Sequence, residues 1–226
     1  MLTAIDRDLW IADGAEVPFF GFPYPTRMTV VRLEGGDLWI CSPVGLTEEL
    51  GAAIDRLGVV RHLVSPNKLH HLFLADWKRR WPGARLYASP GLPRRRPDLA
   101  FDAELDDLAE SAWASVIDQV VFRGSFVMEE VVFFHRASRT AIFTDLIQRL
   151  PPGRGWRGIY LRLDGLVGPD GSTPREWRWT FLRRHALRQA KARALAWNAE
   201  RVIVAHGECV YKNGNEAIAR ALRWVG

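Results

Sequence analysis

Three segments of the sequence end in side chains that can bind a metal ion, and each follows a run of apolar residues. The segment SPNKLHH carries His70 and His71, AIFTDL carries Asp145, and VIVAHGE carries His206. In α/β proteins, sites collect at the carboxyl ends of strands, where loops from distant parts of the chain converge. The sequence therefore predicts a metal site built from His70, His71, Asp145 and His206.

Imidazole and carboxylate ligands suit zinc, iron or manganese, and this set supplies three or four donors around an open position for water. Such a metal lowers the pKa of its bound water towards ~7 and makes hydroxide available for hydrolysis. We therefore expect one divalent metal, or none if the side chains do not converge. His70 and His71 are neighbours on a predicted helix, about 100° apart, so at most one of them should point straight at the site.

Each candidate ligand also has a purely structural interpretation. His70 or His71 could cap the turn between strand and helix through a backbone hydrogen bond. Asp145 could be a helix N-cap or a turn residue, because Asp favours those places. His206 is the strongest candidate for a site role, since a buried polar residue needs a partner and the adjacent Gly207 permits close approach of the backbone.

The other histidines lack such a context. His135 lies beside a predicted turn, and we interpret His62 and His185 as surface or helix-face residues. The sequence has no glycine-rich phosphate loop, no Gly-x-Ser-x-Gly elbow and no Cys beside a suitable His. Phosphate-loop, serine and cysteine chemistries are therefore poorly supported.

The elements that would position these residues alternate in the first half of the chain. Residues 2–12 predict an opening strand, followed by a connector rich in Pro and Phe and by a hairpin at Gly35 and Gly36. A helix capped by Thr47 and ended by Gly58 comes next. The strand VVRHLVSP, the helix LHHLFLADWKRRWPG and the strand ARLYASPGL follow. This alternation favours parallel strands with crossover helices, and thus an α/β fold.

The second half predicts further short strands within IDQVVFRGS and MEEVVFFHRASRTAIFTDLI, with an antiparallel hairpin around Ala137 and Ser138. A long loop over GLVGPDGSTPREW precedes a helix that runs from Trp179 to about Asn198. The strand ERVIVAHGECV and a closing helix over NEAIARALRWV complete the chain. The length and the lack of a flexible linker predict a single domain over residues 1–226.

The net charge of +5 favours an anionic partner, which could be a small substrate, nucleic acid or an acidic surface. Runs of Arg usually lie on solvated faces, and the many aromatic residues are more often core than base-stacking platforms, so nucleic acid is the weaker alternative. The helix from Trp179 to Trp197 could lie on an acidic membrane surface, although a packing helix explains it as well. No particular oligomeric state is favoured.

The two cysteines, Cys41 and Cys209, lie in apolar segments and form no disulfide framework, which suits a reducing compartment. The N-terminal segment MLTAIDRDLWIADG lacks the features of a secretory signal, and no apolar stretch reaches the roughly 18 residues of a membrane span. We therefore expect a cytoplasmic protein.

The order of these segments resembles the metallo-β-lactamase-like superfamily. TVVRLEGGDLWICSPVG is similar to the family's first hairpin, and LVSPNKLHHLFLADWKRRWPGARLYASPGL to its strand, metal motif, helix and next strand. EVVFFHRASRTAIFTDLI is similar to the hairpin whose Asp bridges two metals, and VIVAHGE to the strand with the last His ligand. The resemblance implies a four-layer αββα sandwich, with two mixed sheets face to face and helices outside.

The metal motif departs from the family's His-x-His-x-Asp-His signature. Residues 66–71 read Pro-Asn-Lys-Leu-His-His, so the first two histidines are replaced and His70 stands at the Asp position; the FRGSF turn also lacks the family's mid-chain His. His71, Asp145 and His206 are carried over, mostly to the family's second metal site. The resemblance thus implies a mononuclear site. The N-x-x-HH and HRxSRT segments resemble a branch of the superfamily that is a domain of unknown function.

The leading hypothesis is a metal-dependent, hydrolase-like protein whose single metal is held by His71, Asp145 and His206, with His70 or Asn67 as further ligands. Lys68 or a nearby Arg would steady an anionic intermediate. The alternative is a non-catalytic binding or scaffold domain that has lost its metal. The superfamily includes β-lactam, thioester and phosphodiester hydrolases and redox members, so the fold alone does not identify the substrate.

Overall fold

A computed structural model describes residues 1–19, 22–169 and 171–226. These residues form two compact units, Met1–Val116 and Ile117–Gly226. Each unit has its own sheet, helices and core. The single domain expected from the sequence stays a prediction.

The first unit contains a mixed sheet whose strands follow one another in the order of the chain. The strands are β1 (Leu2–Asp6), β2 (Leu9–Phe19), β3 (Phe22–Arg32), β4 (Asp37–Cys41), β5 (Val59–Val64), β6 (Arg85–Ala88) and β7 (Ala103–Glu104). Pairing is antiparallel from β1 to β4 and parallel from β4 to β7. Helices α1 (Glu48–Leu57), α2 (Leu74–Arg80) and α3 (Leu92–Arg95) connect the parallel strands. The predicted alternation is confirmed.

Local signals set the ends of α1 as predicted. The Thr47 hydroxyl accepts a hydrogen bond from Leu50 N at 3.2 Å, and Gly58 ends the helix. The hairpin before β4 has the expected glycines with positive φ, at 86° for Gly35 and 91° for Gly36.

The core of the first unit lies between its sheet and helices. Trp77 of α2 is fully buried, and its indole N–H donates to Val44 O at 2.7 Å, so its one polar group is satisfied. Burial of a large apolar side chain stabilises the fold by about 1.5–3 kcal/mol. The strands and helices contribute, among others, Leu38, Ile40, Ile54, Leu63, Leu74 and Leu86 to this core.

The second unit contains a sheet in the order β11-β10-β9-β8, formed by β8 (Ile117–Phe122), β9 (Glu130–His135), β10 (Thr140–Phe143) and β11 (Arg201–Val204). Its helices are α4 (Gly155–Leu163), α5 (Arg175–Thr180), α6 (Arg184–Ala196) and α7 (Gly214–Ala221). The predicted hairpin joins β9 to β10, whereas β10 and β11 are parallel neighbours. The carboxyl ends of β10 and β11 therefore lie side by side, which places Asp145 and His206 at one edge of the sheet.

Helix α6 is a packing helix. Leu187, Ala190 and Ala194 recur at helical spacing and are buried in the same core as Val120 and Phe122 of β8. Among the helices that the structure describes, none is long and apolar enough to cross a membrane.

Two predicted elements near the N-terminus are wrong. The opening segment forms two strands rather than one, because the chain turns at Asp8 with a φ of 61°, a conformation that Asp tolerates better than most residues. The expected connector rich in Pro and Phe is instead largely part of β2 and β3, with Pro18 paired with Pro23. Residues 20 and 21 of that connector lie outside the described residues.

The prediction that His70 and His71 lie on a helix is also wrong, because α2 begins only at Leu74. The side-chain oxygen of Asn67 accepts hydrogen bonds from Leu69 N at 2.8 Å and His70 N at 3.2 Å. This local bonding competes with helical bonding and holds both histidines in a turn.

The predicted helix from Trp179 is interrupted. Helix α5 ends at Thr180, and the N–H of Leu182 donates to Gly124 O at 2.9 Å, so residues next to β8 hold this stretch extended before α6 begins. Helix α4 has no counterpart among the elements predicted from the sequence, since its flanking Pro and Gly residues obscure the apolar spacing that begins at Trp156.

Candidate metal centre

Asp145 and His206 contact each other at the edge of the second sheet. Asp145 comes two residues after the end of β10 and His206 two residues after the end of β11, and Phe143 pairs with Val204 at those ends. Because the two strands are parallel and in this register, Asp145 and His206 lie at the same level along the strand direction. The distance from His206 Nε2 to Asp145 Oδ1 is 3.1 Å, and both residues are buried.

Main-chain bonds of Arg149 join the two loops that carry these side chains. Arg149 N donates to His206 O at 3.0 Å, and Glu208 N donates to Arg149 O at 2.8 Å. Gly207 lies between, with a φ of 106°, and a Cβ there would stand 1.8 Å from Arg149 O. The predicted close approach at Gly207 is confirmed, and it exists because the two loops pair with each other.

Glu130 orients the loop of Asp145. Its carboxylate accepts hydrogen bonds from three successive backbone groups, Thr144 N at 2.8 Å, Asp145 N at 2.8 Å and Leu146 N at 3.0 Å. Sequence reasoning missed this residue. A signal was present, because Glu130 begins a strand, EVVFFH, in which every residue is buried and an acid in such a strand needs partners.

The pKa of Glu130 is raised above its ordinary value, first because burial disfavours the charged carboxylate and second because the Asp145 carboxylate lies nearby. The backbone N–H groups act in the opposite direction, since they stabilise the charged form. Glu130 is therefore a fully buried acid whose hydrogen bonds to residues 144–146 support the loop that carries Asp145.

Gln148 adds an amide beside Asp145. Its side-chain nitrogen lies 3.4 Å from both Asp145 O and Asp145 Oδ1, and the residue is buried. Within the described part of the chain, no hydrogen-bond partner is found for the Gln148 Oε1 atom. A buried acceptor of this kind next to a carboxylate is a position that an ordered water or an ion can satisfy.

In the first unit, buried polar residues shape the turn that carries His70. The Ser65 hydroxyl lies 2.9 Å from Asn67 O and 2.8 Å from His70 O, and Ser65 and Asn67 are both fully buried. Together with the bonds that Asn67 accepts, these contacts fix the backbone from residue 65 to residue 70. Asn67 thus serves this turn, and its role as a ligand stays a prediction.

Ser42 selects the tautomer of His70. Its hydroxyl lies 3.1 Å from Arg27 O and 2.6 Å from His70 Nδ1. A hydroxyl has one proton, so a Ser42 that donates to the Arg27 carbonyl must accept from a protonated His70 Nδ1. The neutral ring then carries its lone pair on Nε2, the form that a metal-ligating histidine needs.

His71 has a different environment. Arg96 NH1 donates to His71 Nδ1 at 2.9 Å and to His71 O at 3.1 Å, while the rest of the guanidinium binds Asp98. Burial and the Arg96 charge lower the pKa of His71 to about 4, so the ring is neutral at pH 7. With Nδ1 accepting, the proton of the neutral ring sits on Nε2. The role of His71 as a ligand stays a prediction.

The interpretation of His62 as a surface residue is wrong. His62 is buried on β5, where its Nδ1 lies 3.2 Å from the Tyr87 hydroxyl and its ring contacts that of Trp113. The parallel pairing of β5 with β6 places it there. By contrast, His135 bonds Ser138 beside the hairpin turn and His185 is exposed on α6, as predicted.

The fold is that of metallo-β-lactamases in solved structures. The metallo-β-lactamase from Pontibacter korlensis is 15% identical, with a TM-score of 0.69 over 100% of this chain and 98% of that chain. The enzyme from Hirschia baltica is 15% identical, with a TM-score of 0.68 over 100% and 97%. FIM-1 from Pseudomonas aeruginosa, in its mono-zinc form, is 14% identical, with a TM-score of 0.66 over 100% and 94%. The predicted fold class, α/β of the metallo-β-lactamase-like type, is confirmed.

The sequence has no significant match among curated proteins. A family model does match it, over residues 16–154, which is more than half of the chain. The chain therefore belongs to the family described as Domain of unknown function (DUF4336).

Proposed function

We propose that this protein is a metal-dependent hydrolase-like protein that holds one divalent metal ion through His70, Asp145 and His206. The observation that carries the proposal is the buried contact of 3.1 Å between Asp145 and His206, on loops joined by their backbones. We choose His70 as the third ligand because Ser42 binds its Nδ1, which leaves the lone pair of the neutral ring on Nε2. In His71, by contrast, Arg96 binds the Nδ1 lone pair and the proton of the neutral ring is on Nε2.

The donor set fits a metal of this kind. Two imidazoles and one carboxylate are the protein ligands of many zinc sites that keep a fourth position open, and iron or manganese accepts the same donors. When bound, the ion would supply a Lewis acid that polarises a substrate and lowers the pKa of a water molecule. The protein residues hold the donors: Glu130 fixes the Asp145 loop, and the Gln148 amide lies beside the Asp145 carboxylate.

We further propose that residues 66–71 are an altered form of the superfamily's metal motif, with His70 in the place of its acidic ligand. A mononuclear site follows from the two missing histidines. One of the similar solved structures is a metallo-β-lactamase in a mono-zinc form, which supports a single ion in this fold. The net charge of +5 favours a small anionic substrate.

Metal analysis of protein purified without chelator tests the proposal. We expect about one zinc, iron or manganese ion per chain, and loss of that ion in His70→Ala, Asp145→Ala and His206→Ala. His185→Ala, which changes an exposed histidine on α6, is the matched control and should keep the metal. Parent protein without stoichiometric metal would contradict the proposal.

The alternative function is a non-catalytic binding or scaffold domain. It is favoured by one observation: Asp145 and His206 lie within hydrogen-bonding distance of each other, so each can satisfy the other without an ion. In that case the parent protein contains no metal. Asp145→Asn should then lower the free energy of unfolding by the same amount whether or not a chelator is present.

The cytoplasmic location expected from the sequence remains a proposal. Cys41 and Cys209 are both buried thiols, which is what a protein of a reducing compartment contains.

A further inference from the structure

A row of apolar side chains on α4 faces solvent. Trp156, Ile159, Tyr160 and Leu163, here called the α4 stripe, are 72, 58, 39 and 63% exposed. Their spacing of three and four residues places them on one side of the helix, a pattern that in a globular protein usually marks the side that packs into the core. The α4 stripe is thus an ordered apolar surface in contact with water.

The opposite side of α4 is the one that packs into the second unit. Gly158 and Leu161 are its buried residues, and Leu161 lies in a small apolar cluster with Leu150 and Leu166. The helix therefore has its own anchor, so the α4 stripe is not needed to hold it in place.

Further exposed apolar side chains lie on neighbouring segments of the same unit. Trp179 is 78% exposed, Leu182 72% and Phe126 68%. The N–H of Phe126 donates to Thr180 O at 3.3 Å, so these side chains belong to adjoining stretches of chain. Helix α5, which ends at Thr180, meets α4 where the Tyr160 hydroxyl lies 3.5 Å from Glu176. These three side chains therefore add exposed apolar area to the second unit.

The charged residues around the α4 stripe are mostly positive, although Glu176 of α5 lies 3.5 Å from the Tyr160 hydroxyl. Arg154 precedes α4 and Arg162 lies within it, both exposed, and the nine residues of α4 include no acid. Asp164, the first acid after the helix, is buried and accepts a hydrogen bond from Arg175 N at 2.7 Å. An anionic partner is therefore complementary to this surface.

We propose that the α4 stripe docks on the surface of a membrane that contains anionic lipids. Trp and Tyr prefer the boundary between headgroups and acyl chains, Ile and Leu gain from entering it, and Arg binds lipid phosphates. A second copy of the chain fits less well, because a two-fold contact would bring together two surfaces that both carry the exposed Arg154 and Arg162. The inference goes beyond the proposed function and does not depend on the metal.

Vesicle co-sedimentation of the full chain tests this inference. We expect binding to vesicles of phosphatidylcholine and phosphatidylglycerol in equal parts, little binding to phosphatidylcholine alone, and weakening of binding by salt. The double change Trp156→Ser and Leu163→Ser should weaken binding about tenfold or more. The double change Arg154→Ser and Arg162→Ser should abolish the preference for anionic vesicles.

Leu108→Ser is the matched control, because Leu108 is 76% exposed but lies in the first unit; its binding should equal that of the parent. Circular dichroism of each variant checks that the fold is kept. The inference is overturned if the parent protein sediments equally with both kinds of vesicle or with neither, or if Leu108→Ser weakens binding as much as the stripe variant. It is also overturned if the double change Trp156→Ser and Leu163→Ser leaves vesicle binding unchanged but abolishes self-association or the binding of an acidic protein.

Discussion

Glu130 does for the Asp145 loop what an N-cap does for a helix. Its carboxylate accepts hydrogen bonds from the backbone N–H groups of the buried residues 144, 145 and 146. Both carboxylate oxygens are used, so the side chain fixes the loop in two directions at once. The position of the Asp145 carboxylate is therefore set by a residue that need not touch a metal or a substrate.

We expect Glu130→Gln to lower the free energy of unfolding by about 1–3 kcal/mol, because one carboxylate oxygen becomes an NH2 group that faces backbone donors inside the protein. It should also weaken metal binding, since the Asp145 loop loses its support. Denaturant titration and metal titration measure the two effects. Glu216→Gln is the control, because Glu216 is an exposed residue of α7 that pairs with Arg220 across one helical turn. This change should lower the free energy of unfolding by less than about 1 kcal/mol.

The contact between Ser42 and His70 allows a second test of how a single supporting residue affects metal binding. Ser42→Ala removes the hydroxyl that lies 2.6 Å from His70 Nδ1, and loss of such a supporting group typically weakens metal binding about 10- to 100-fold. The φ of Ser42 is 57°, so Ser42→Gly removes the same hydroxyl while suiting the backbone better. Both variants should bind metal weakly in a competition titration; normal affinity in Ser42→Gly would show that the hydroxyl is not what matters.

The candidate ligands could be predicted from the sequence because each stands at the polar end of an apolar strand. Their supporting groups could not, because Glu130 lies 15 residues before Asp145, and Ser42 lies 28 residues before His70. Only the pairing of β9 with β10 and of β4 with β5 brings them close. For the same reason the sequence could not show that Arg96 engages His71.

At the scale of elements, the pairing of the loops after β10 and β11 determines how closely their backbones approach. Arg149 bonds on both sides of Gly207, and no side chain fits between. The strand register and this pairing together set the separation of Asp145 and His206. Movement of either loop alone would break the bonds at Arg149.

We expect Gly207→Ala to destabilise the protein more than Gly168→Ala. Both glycines have a positive φ, 106° for Gly207 and 127° for Gly168, so both changes strain the backbone. Among the residues that the structure describes, nothing lies within 4 Å of a Cβ at Gly168, whereas Arg149 O blocks one at Gly207. The extra cost should be about 1–3 kcal/mol, and metal content should fall in Gly207→Ala only. Equal midpoints of denaturation for the two variants would contradict this account.

Elements with local signals were predictable, and elements set by distant contacts were not. Helix α1 has its cap and its stop in the sequence, and β5 and β11 are short apolar runs. The break between α5 and α6 depends on Gly124, which lies more than fifty residues earlier than Leu182 in the sequence. Helix α4 was missed because its apolar stripe is interrupted by Arg and Gly and flanked by Pro.

At the scale of the whole molecule, a buried imidazole makes stability depend on pH. His62 lies among the rings of Tyr87 and Trp113, with the Trp113 ring also against Trp39. Burial lowers the pKa of His62, with Arg85 and Arg61 acting in the same direction and Asp37 opposing them. The folded protein therefore prefers the neutral ring, whereas the unfolded chain takes up a proton near pH ~6.5.

The contribution of His62 to stability is fully present above pH ~6.5 and is lost as the pH falls towards its lower folded pKa, because there the unfolded chain binds the additional proton. Relative to the parent, His62→Gln should show a smaller loss of unfolding free energy between about pH 7.5 and pH 5.5. Denaturant titrations at several pH values measure this. Parallel curves for parent and variant would argue against the effect.

The main-chain bonds of Arg149 have a consequence for how this protein could diversify. Every amino acid carries the N–H and C=O groups that hold the two loops together, so the donor atoms at positions 145 and 206 can be exchanged without dismantling the frame around them. The backbone geometry at this edge of the sheet therefore does not depend on which side chains occupy positions 145 and 206. Related proteins could therefore evolve to bind a different metal ion at these positions, or none, and still keep the fold.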